Sequence, residues 1–275
     1  MAFKQNKSLL FLFLFLGQNL FGQQSDKFVL IPAGMYEIGK EGNSQNPTRK
    51  VHIDSFRMAI FETTNQQFEI FVAATHYVTD AEKFHNAMVF QPGLDEFKWL
   101  SDSTASWRYP NGITRGGINK IMNHPVTCIS YHDAEAYCAW AGVRLPTIEE
   151  WEIACRAGTR TDYFFGTNDR SIKSYANIWY GRDHKSADLS DGFMYTSPVG
   201  KFKPNPWGLY DMYGNVFEFC SGKISPSEKS TLIHARGGSW WCSKNSCHSF
   251  NSYSIGQAYI HASFSNQGFR VVAAK

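Results

Sequence analysis

Charge is scarce in this sequence, and the basic residues do not form blocks. Lys, Arg, Asp and Glu make up 19% of the 275 residues, and the formal net charge at pH 7 is +3. Surfaces that follow a phosphate backbone need clustered Lys and Arg, so nucleic acid is not expected as a partner. Heptads, internal repeats and low-complexity linkers are missing as well, which argues against coiled coils and repeat arrays and favours one undivided domain.

Long apolar runs are missing after the N-terminus, so no membrane span is predicted. At the N-terminus, a lysine-bearing head at 1–7 precedes a run of Leu and Phe at 8–16, which ends at Gly17. This run is too short to span a bilayer and is typical of a signal peptide, although a buried first strand or helix is the alternative. We expect a signal peptide at 1–22, cleaved near Gly22, and an exported protein, periplasmic or secreted. No cysteine lies near the cut, which disfavours a lipid anchor.

Apolar material is plentiful in the remaining chain. The sequence is 43% hydrophobic and 16% aromatic, enough for one large core. We therefore assign residues 23–275 to a single globular domain and expect a monomer. Alternating apolar and small residues at 28–39 predict one or two opening strands.

Capping signals predict three helices. Their starts are the pairs Thr64 and Gln67, Ser130 and Asp133, and Thr147 and Glu150. Apolar residues fall on one face after each pair, and Gly142 and Gly158 are predicted to end the second and third helices. Residues 94–123 show no period and predict a long aromatic loop region, and the chain after Tyr175 predicts only short strands and turns. The predicted fold class is α+β.

Five segments, in order, resemble the formylglycine-generating (sulfatase-modifying) enzyme family. They are IPAGM at 31–35, GVRLPTIEEWE at 142–152, GLYDMYGNVFE at 208–218, RGGSW at 236–240 and NQGFR at 266–270. The resemblance covers essentially the whole predicted mature chain. It implies a single compact domain related to C-type lectins with little regular secondary structure, and an oxidase that converts a sulfatase cysteine into formylglycine.

Cys242 and Cys247 follow the RGGSW segment and are separated by four residues. Two thiols at this spacing can face each other, either as a local disulfide or as a soft thiolate pair that suits Cu(I). The resemblance implies the copper role, because paired cysteines at these positions bind copper in the family's catalytic members. It also implies that Ser239 helps to seat the substrate thiol or the oxygen species, although a serine beside two glycines is equally a turn residue.

The implied reaction is oxidation by O2 of the cysteine in a Cys-x-Pro-x-Arg motif of a still-unfolded sulfatase polypeptide. The resemblance implies that the client cysteine joins Cu(I) as a third thiolate, that hydrogen is removed from its Cβ, and that hydrolysis leaves formylglycine. An extended peptide needs a surface groove. Trp240 and Trp241 are the predicted walls, and both are also compatible with a place in the core.

Three positions depart from the family pattern. Ser243 and Ser246 stand where catalytic relatives carry His and Tyr, and Phe217 replaces a Trp. These departures bear on substrate contacts and rate but leave the copper ligands in place. The alternative function is a non-catalytic exported module of the same fold, acting in envelope assembly or ligand binding, for which loss of the cysteine pair would be the signature. A calcium-binding lectin is a further reading.

Two calcium sites are implied by residue types and separations that match the family. The first comprises Asn177, Ile178, Asp191 and Phe193, and the second comprises Asp211, Gly214, Val216 and Glu218. Calcium takes carboxylate, amide and backbone carbonyl oxygens, so the apolar members would contribute only backbone oxygen. Asn and Asp residues that merely cap turns are the alternative.

Four further cysteines are Cys128, Cys138, Cys155 and Cys220. Cys138 and Cys155 coincide with family cysteines whose long-range disulfide partners are replaced here by a serine and a valine. Both lie on apolar helix faces, where a free thiol behaves as a small hydrophobe. They are expected either to stay reduced or to pair within this set of four.

Overall fold

Short strands and capped helices make up the regular structure of the computed structural model, which describes residues 28–223 and 231–274. The predicted signal peptide lies outside the described residues. The helices are α1 (Asn65–Thr75), α2 (Asp80–Phe84), α3 (Tyr131–Ala141) and α4 (Ile148–Arg156). The strands are β1 (Phe28–Ile31), β2 (Gly34–Ile38), β3 (Arg49–Ile53), β4 (Phe56–Ala59), β5 (Ala87–Val89), β6 (Leu100–Asp102), β7 (Val143–Arg144), β8 (Phe217–Lys223), β9 (Leu232–Arg236), β10 (Gly256–Tyr259), β11 (Gln267–Gly268) and β12 (Val272–Ala273).

The three predicted helix starts are confirmed as capping boxes. In α1, for example, the Thr64 hydroxyl accepts from the backbone N–H of Gln67 while the Gln67 side chain accepts from the backbone N–H of Thr64. The same reciprocal pattern begins α3 and α4. Each box satisfies N–H groups that lack a partner in the first turn of a helix, and this fixes where the helix begins.

Three details differ from the sequence prediction, and the first is that strand β6 lies within 94–123, where only a loop region was predicted. Helix α2 was not predicted, because five residues are too few to show a period; its signal is the capping box of Thr79 and Glu82. Helix α4 ends at Arg156, one residue earlier than a stop at Gly158 predicts, since Ala157 itself takes the left-handed conformation with φ of 46°. Across the described ranges, no helix combines the length and apolar character needed to cross a bilayer.

Two four-stranded sheets and two hairpins complete an α+β fold, as predicted. The first sheet has the order β1-β4-β12-β7, so the C-terminal strand β12 lies between β4 and β7. The second has the order β10-β9-β8-β11, in which β11 runs parallel to β8 and the other neighbours are antiparallel. The first and the last described strands, β1 and β12, therefore both pair with β4.

A buried ion pair connects these sheets to α4. The Arg270 guanidinium donates to both Glu218 oxygens at 2.6 and 2.7 Å, and both side chains are fully buried. The Trp151 indole N–H donates to the same carboxylate at 2.6 Å. Arg270 also donates to the carbonyls of Ala59, Ile60 and Tyr210. Because every charged atom has a partner, the pair satisfies the condition under which buried charge is tolerated.

Neutralising Glu218 tests this ion pair. Glu218→Gln keeps the side-chain shape and an acceptor for Trp151 but leaves the Arg270 charge without its direct counter-ion. Removing one member of a buried pair costs about 3 to 5 kcal/mol. We expect a loss in that range in the free energy of unfolding, measured by chemical denaturation.

The matched control is Glu149→Gln. Glu149 pairs with Arg49 at 3.0 Å, but both side chains are about one-third exposed, so water screens the pair. Its loss should change stability by about 1 kcal/mol or less. Equal effects of the two substitutions would contradict the role assigned to the buried pair.

Candidate functional site

A double-glycine turn positions the RGGSW segment directly after β9. Gly237 and Gly238 have φ of 92° and 74°, a region that disfavours any side chain. A Cβ on Gly238 would lie 2.9 Å from the backbone nitrogen of Phe250, so there is also no space for one. The turn therefore brings Ser239 and the following residues into the interior of the protein.

Cys242 and Cys247 meet at the end of this segment. Their Cα atoms are 4.8 Å apart and the two sulfurs are joined as a disulfide, which is one of the two states that the spacing predicts. Cys242 is fully buried, Cys247 is half-buried, and Cys247 has φ of 40°. Backbone hydrogen bonds between Ser243 and Ser246 close the intervening turn, and the Ser243 hydroxyl accepts from the Ser246 N–H at 2.9 Å.

Ser239 lies beside the first cysteine. Its hydroxyl oxygen is 3.9 Å from the Cys242 sulfur and accepts from the side-chain amide of Asn266 at 3.0 Å. Asn266 belongs to the NQGFR segment, so the two last family-like segments meet at this hydroxyl. All three side chains are at least 95% buried. The structure thus brings together Ser239, Cys242 and Cys247 as the sequence predicts.

Trp240 and Trp241 are buried rather than exposed. Only 1% and 2% of their surfaces reach solvent, and they pack with Phe90 and Trp179 in what we call the aromatic cluster. This is the core alternative that the sequence allows. A wall of a groove needs an exposed face, which neither indole has in this structure. Their contact with substrate stays a prediction.

Further residues, which no sequence pattern marks, pack against this cluster. Phe97 is 65% exposed and its ring centroid lies 5.1 Å from that of Trp241. His184 is stacked between Trp179 and Trp241, with one ring nitrogen 2.7 Å from a Glu96 oxygen and the other 2.7 Å from the Trp241 carbonyl. Glu96 and Phe97 come from the long loop region, where no periodic pattern marks them. The only feature of the sequence that points to them is the aromatic and acidic composition of this loop region.

The first predicted calcium set lies in adjoining segments. The Asn177 side-chain amide donates to the Tyr195 carbonyl at 2.8 Å, which joins the segment of Asn177 and buried Ile178 to that of Asp191 and Phe193. One Asp191 oxygen accepts from the Phe193 N–H at 3.0 Å, and the other is buried without a hydrogen-bond partner. Burial raises the pKa of Asp191. A carboxylate oxygen without a hydrogen-bond partner, close to other oxygen ligands, fits a cation.

The second predicted set fits less well. Glu218 has both oxygens occupied by Arg270 and Trp151, so it offers no free oxygen to a cation. Asp211 differs, because one oxygen accepts from the Gly200 N–H at 2.7 Å and the other is buried and unpaired.

Two other members of the second set have backbone roles. Gly214 has no space for a side chain, because a Cβ there would lie 2.1 Å from the Asn177 carbonyl oxygen. The Val216 N–H donates to Glu62 at 3.3 Å. Gly214 therefore places the two predicted sets side by side.

Glu62 is a buried carboxylate that the sequence analysis did not single out. Its two oxygens accept from the Asn215 side chain at 2.6 Å and from Val216. Burial, Asp211 and Glu218 raise the pKa of Glu62 well above its ordinary value. Three carboxylates, those of Glu62, Asp211 and Glu218, thus lie near the guanidinium of Arg270. When all of these groups are ionised, their net charge is negative.

The four remaining cysteines are free and buried. Burial raises the pKa of Cys138 and of Cys155 to about 12, and it raises the pKa of Cys128 and Cys220 as well. Thiols of this kind stay protonated and unreactive near neutral pH. The reduced state, one of the alternatives for this set, is therefore the one found in the structure.

An open cavity of about 530 Å³ lies next to the aromatic cluster. Arg115, Lys120, Phe193 and Tyr195 are among its lining residues, and the Tyr195 ring packs against Trp240 with 5.1 Å between centroids. Neither cysteine of the pair lines it. Because its charged lining residues are cations, this cavity suits an anionic or neutral group better than an arginine side chain.

Comparison with known proteins identifies relatives over most of the chain. A family model described as "Sulfatase-modifying factor enzyme 1-like domain" matches residues 18–275. The formylglycine-generating enzyme of Mus musculus is 37% identical over 279 residues, covering 90% of this chain and 75% of that protein. A Bos taurus protein named inactive C-alpha-formylglycine-generating enzyme 2 is 35% identical over 235 residues, covering 79% and 77%. The solved structure of PvdO from Pseudomonas aeruginosa has a TM-score of 0.67 at 26% identity, covering 89% and 93%.

The buried Asp211 predicts a dependence of stability on pH in chelated protein. Burial and Glu218 raise the pKa of Asp211 to about 6, against the opposing effects of Gly200 and Arg270, whereas an unfolded aspartate titrates near about 3.9. The folded state therefore holds this proton more tightly, and the resulting stability is lost as pH rises through about 6. We expect the free energy of unfolding to fall by about 1 kcal/mol between about pH 5 and about pH 7.

Asp211→Asn isolates this contribution, because the amide does not titrate. Denaturation curves at several pH values should show a smaller fall for the variant than for the wild-type chain. If the free energy of unfolding depends on pH identically in the two proteins, ionisation of Asp211 does not destabilise the folded state.

Proposed function

This chain belongs to the sulfatase-modifying factor enzyme 1-like family, and from that premise we propose that it is a formylglycine-generating enzyme acting on a cysteine of a sulfatase polypeptide. Family membership alone does not decide this, since a relative named as inactive matches at almost the same identity. The observation that carries the proposal is the cysteine pair. Cys242 and Cys247 are both present, meet in space and lie beside Ser239.

Copper(I) is the cofactor that we propose for this pair. Two thiolates form a soft donor set, which Cu(I) prefers to carboxylate or water ligands. The disulfide must first be reduced, because only thiolates bind the metal. Bound copper would supply the one-electron chemistry with dioxygen that no side chain of this site can perform.

The protein's own contribution is to position and shield the pair. Ser239 is held in place by Asn266, so its hydroxyl is fixed near the Cys242 sulfur instead of rotating freely. Trp240 and Trp241, which directly precede Cys242, are buried in the aromatic cluster, and Cys242 itself is fully buried. Cys247, which is half-buried, lies on the side that faces solvent. A substrate thiol would therefore approach the pair from the Cys247 side.

For the client peptide we propose a Cys-x-Pro-x-Arg segment of an unfolded sulfatase, bound in extended form. Phe97 offers the exposed aromatic surface next to the cysteine loop that Trp240 and Trp241 lack. The cationic lining of the nearby cavity argues against placing the client arginine there. Export after cleavage near Gly22, and action as a monomer, are part of the same proposal.

The decisive variants replace one cysteine of the pair. Cys242→Ser or Cys247→Ser exchanges a soft anionic ligand for a hard neutral hydroxyl, so Cu(I) affinity and peptide conversion should both collapse. The assay supplies the mature protein with Cu(I), a reductant, oxygen and a Cys-x-Pro-x-Arg peptide. Mass spectrometry then measures formation of the aldehyde.

Cys138→Ser is the matched control, because Cys138 is a buried free thiol on α3. It should lower stability at most and leave copper binding intact. A purely structural disulfide predicts a different outcome, namely a stability loss of about 2 to 4 kcal/mol in either variant of the pair without any dependence on copper. Full peptide conversion by Cys242→Ser, or a wild-type protein that ignores copper, would leave the non-catalytic module as the function.

We also propose that the first calcium set binds Ca²⁺ through Asp191 and Asn177, and that Asp211 takes part in a second site. A cation would compensate the unpaired oxygens of Asp191 and Asp211. Since such a ligand binds only the folded state, saturating calcium should raise the thermal midpoint of chelated protein. Asp191→Asn should reduce this rise. A midpoint that does not respond to calcium, in protein shown by metal analysis to be calcium-free, would refute the proposal.

A further inference from the structure

Three side chains from distant parts of the chain converge on one side of the molecule. Asp80 is the first residue of α2, His132 is the second residue of α3, and His261 follows β10. One Asp80 oxygen lies 3.4 Å from His132 Nδ1 and 3.3 Å from His261 Nδ1. One ligand atom of each residue lies within 4.8 Å of those of the other two. Neither the family-like segments nor the cysteine pair include these residues.

The distances match those around a tetrahedral metal ion. Zinc binds imidazole nitrogen at about 2.0 to 2.1 Å and carboxylate oxygen at about 2.0 to 2.2 Å. Two ligand atoms at a tetrahedral angle are then about 3.3 to 3.4 Å apart. The two Asp80–histidine separations already have this value. Only the two histidines need to approach, and their rings are 4.4 Å apart between centroids.

Burial divides the three residues into an anchor and two adjustable ligands. The Asp80 side chain is only 7% exposed, and the Ser130 hydroxyl donates at 2.8 Å to the same Asp80 oxygen that faces both histidines, which fixes its position. The side chains of His132 and His261 are 38% and 56% exposed, so their rings can rotate. Lys83 lies 3.6 Å from the other Asp80 oxygen and neutralises part of its charge without blocking the histidine side.

We propose that Asp80, His132 and His261 form a binding site for a divalent metal of the zinc type. Two imidazoles and a carboxylate suit Zn²⁺, whereas Cu(I) prefers the thiolates of Cys242 and Cys247, so ligand chemistry sorts the two metals between the sites. The fourth position faces solvent, since both histidines are partly exposed. The ion would tie the starts of α2 and α3 to the segment after β10, joining residues that are 181 positions apart.

Zinc titration of the oxidised mature protein tests the proposal. With Cys242 and Cys247 joined and the other four cysteines buried and protonated, no thiolate competes for the metal. Competition with a chromophoric chelator should give one bound Zn²⁺ per chain. Substituting Co²⁺ should give a visible absorption spectrum typical of mixed nitrogen and oxygen ligation.

His132→Ala and His261→Ala should each weaken zinc affinity at least about tenfold. Removing only a hydrogen-bond partner of a metal ligand already costs about this much, so removing the ligand itself should cost no less. His52→Ala is the matched control, because His52 is exposed on β3 away from the three residues, and it should bind zinc like the wild type.

Two results would overturn the proposal. One is wild-type protein that binds no zinc at concentrations equimolar with the protein. The other is zinc binding that survives unchanged in both histidine variants, which would place the metal elsewhere. Because both histidines are partly exposed, circular dichroism should show that the variants remain folded, so a loss of binding reports on the site itself.

Discussion

The compensation of buried charge is the constraint on which the rest of this structure depends. Arg270 is fully buried in the last described segment, and its guanidinium donates to Glu218 on β8, to the carbonyl of Ala59 at the end of β4 and to the carbonyl of Tyr210. A charge taken out of water is tolerated only where its partners are already in place. The two sheets and α4 must therefore come together as one unit, because each supplies part of the same hydrogen-bond network.

A second buried network applies the same constraint to the candidate site. Glu152 on α4 is fully buried and accepts from Asn46, Arg156 and Arg236. Arg236 is the residue directly before the double-glycine turn. Its anchoring fixes the start of the segment that leads through Ser239 to Cys242. The segment that carries the cysteine pair thus begins at a buried ion pair, although the pair itself lies in a turn.

The sequence predicts the local features of this fold better than its long-range ones. Capping boxes locate α1, α3 and α4, because a box is a local hydrogen-bond pattern that can be read three residues apart. Helix α2 is too short to show a period, and α4 ends at a left-handed Ala157, which a rule that looks for glycine does not find. The position of β12 between β4 and β7 depends on pairing across the whole chain.

The candidate site shows the same division. Motif spacing brings Ser239, Cys242 and Cys247 together correctly, whereas burial of Trp240 and Trp241 depends on Phe90 and the loop region, which no pattern connects to them. Glu62 and His184 were missed because a single polar residue carries no signal of its distant partners in the sequence. Asp80, His132 and His261 illustrate the limit most clearly, since only the folded chain brings them within reach of one another.

The proposed activity requires Cys242 and Cys247 to be a copper-binding dithiol and not a permanent structural bridge. X-ray absorption spectroscopy at the copper edge, on reduced wild-type protein loaded with one equivalent of Cu(I), tests this directly because sulfur neighbours are distinguished from nitrogen and oxygen. We expect a first coordination shell that contains both cysteine sulfurs and that is lost in Cys242→Ser. A shell of nitrogen and oxygen alone, or a pair that resists reduction and binds no copper, would contradict it.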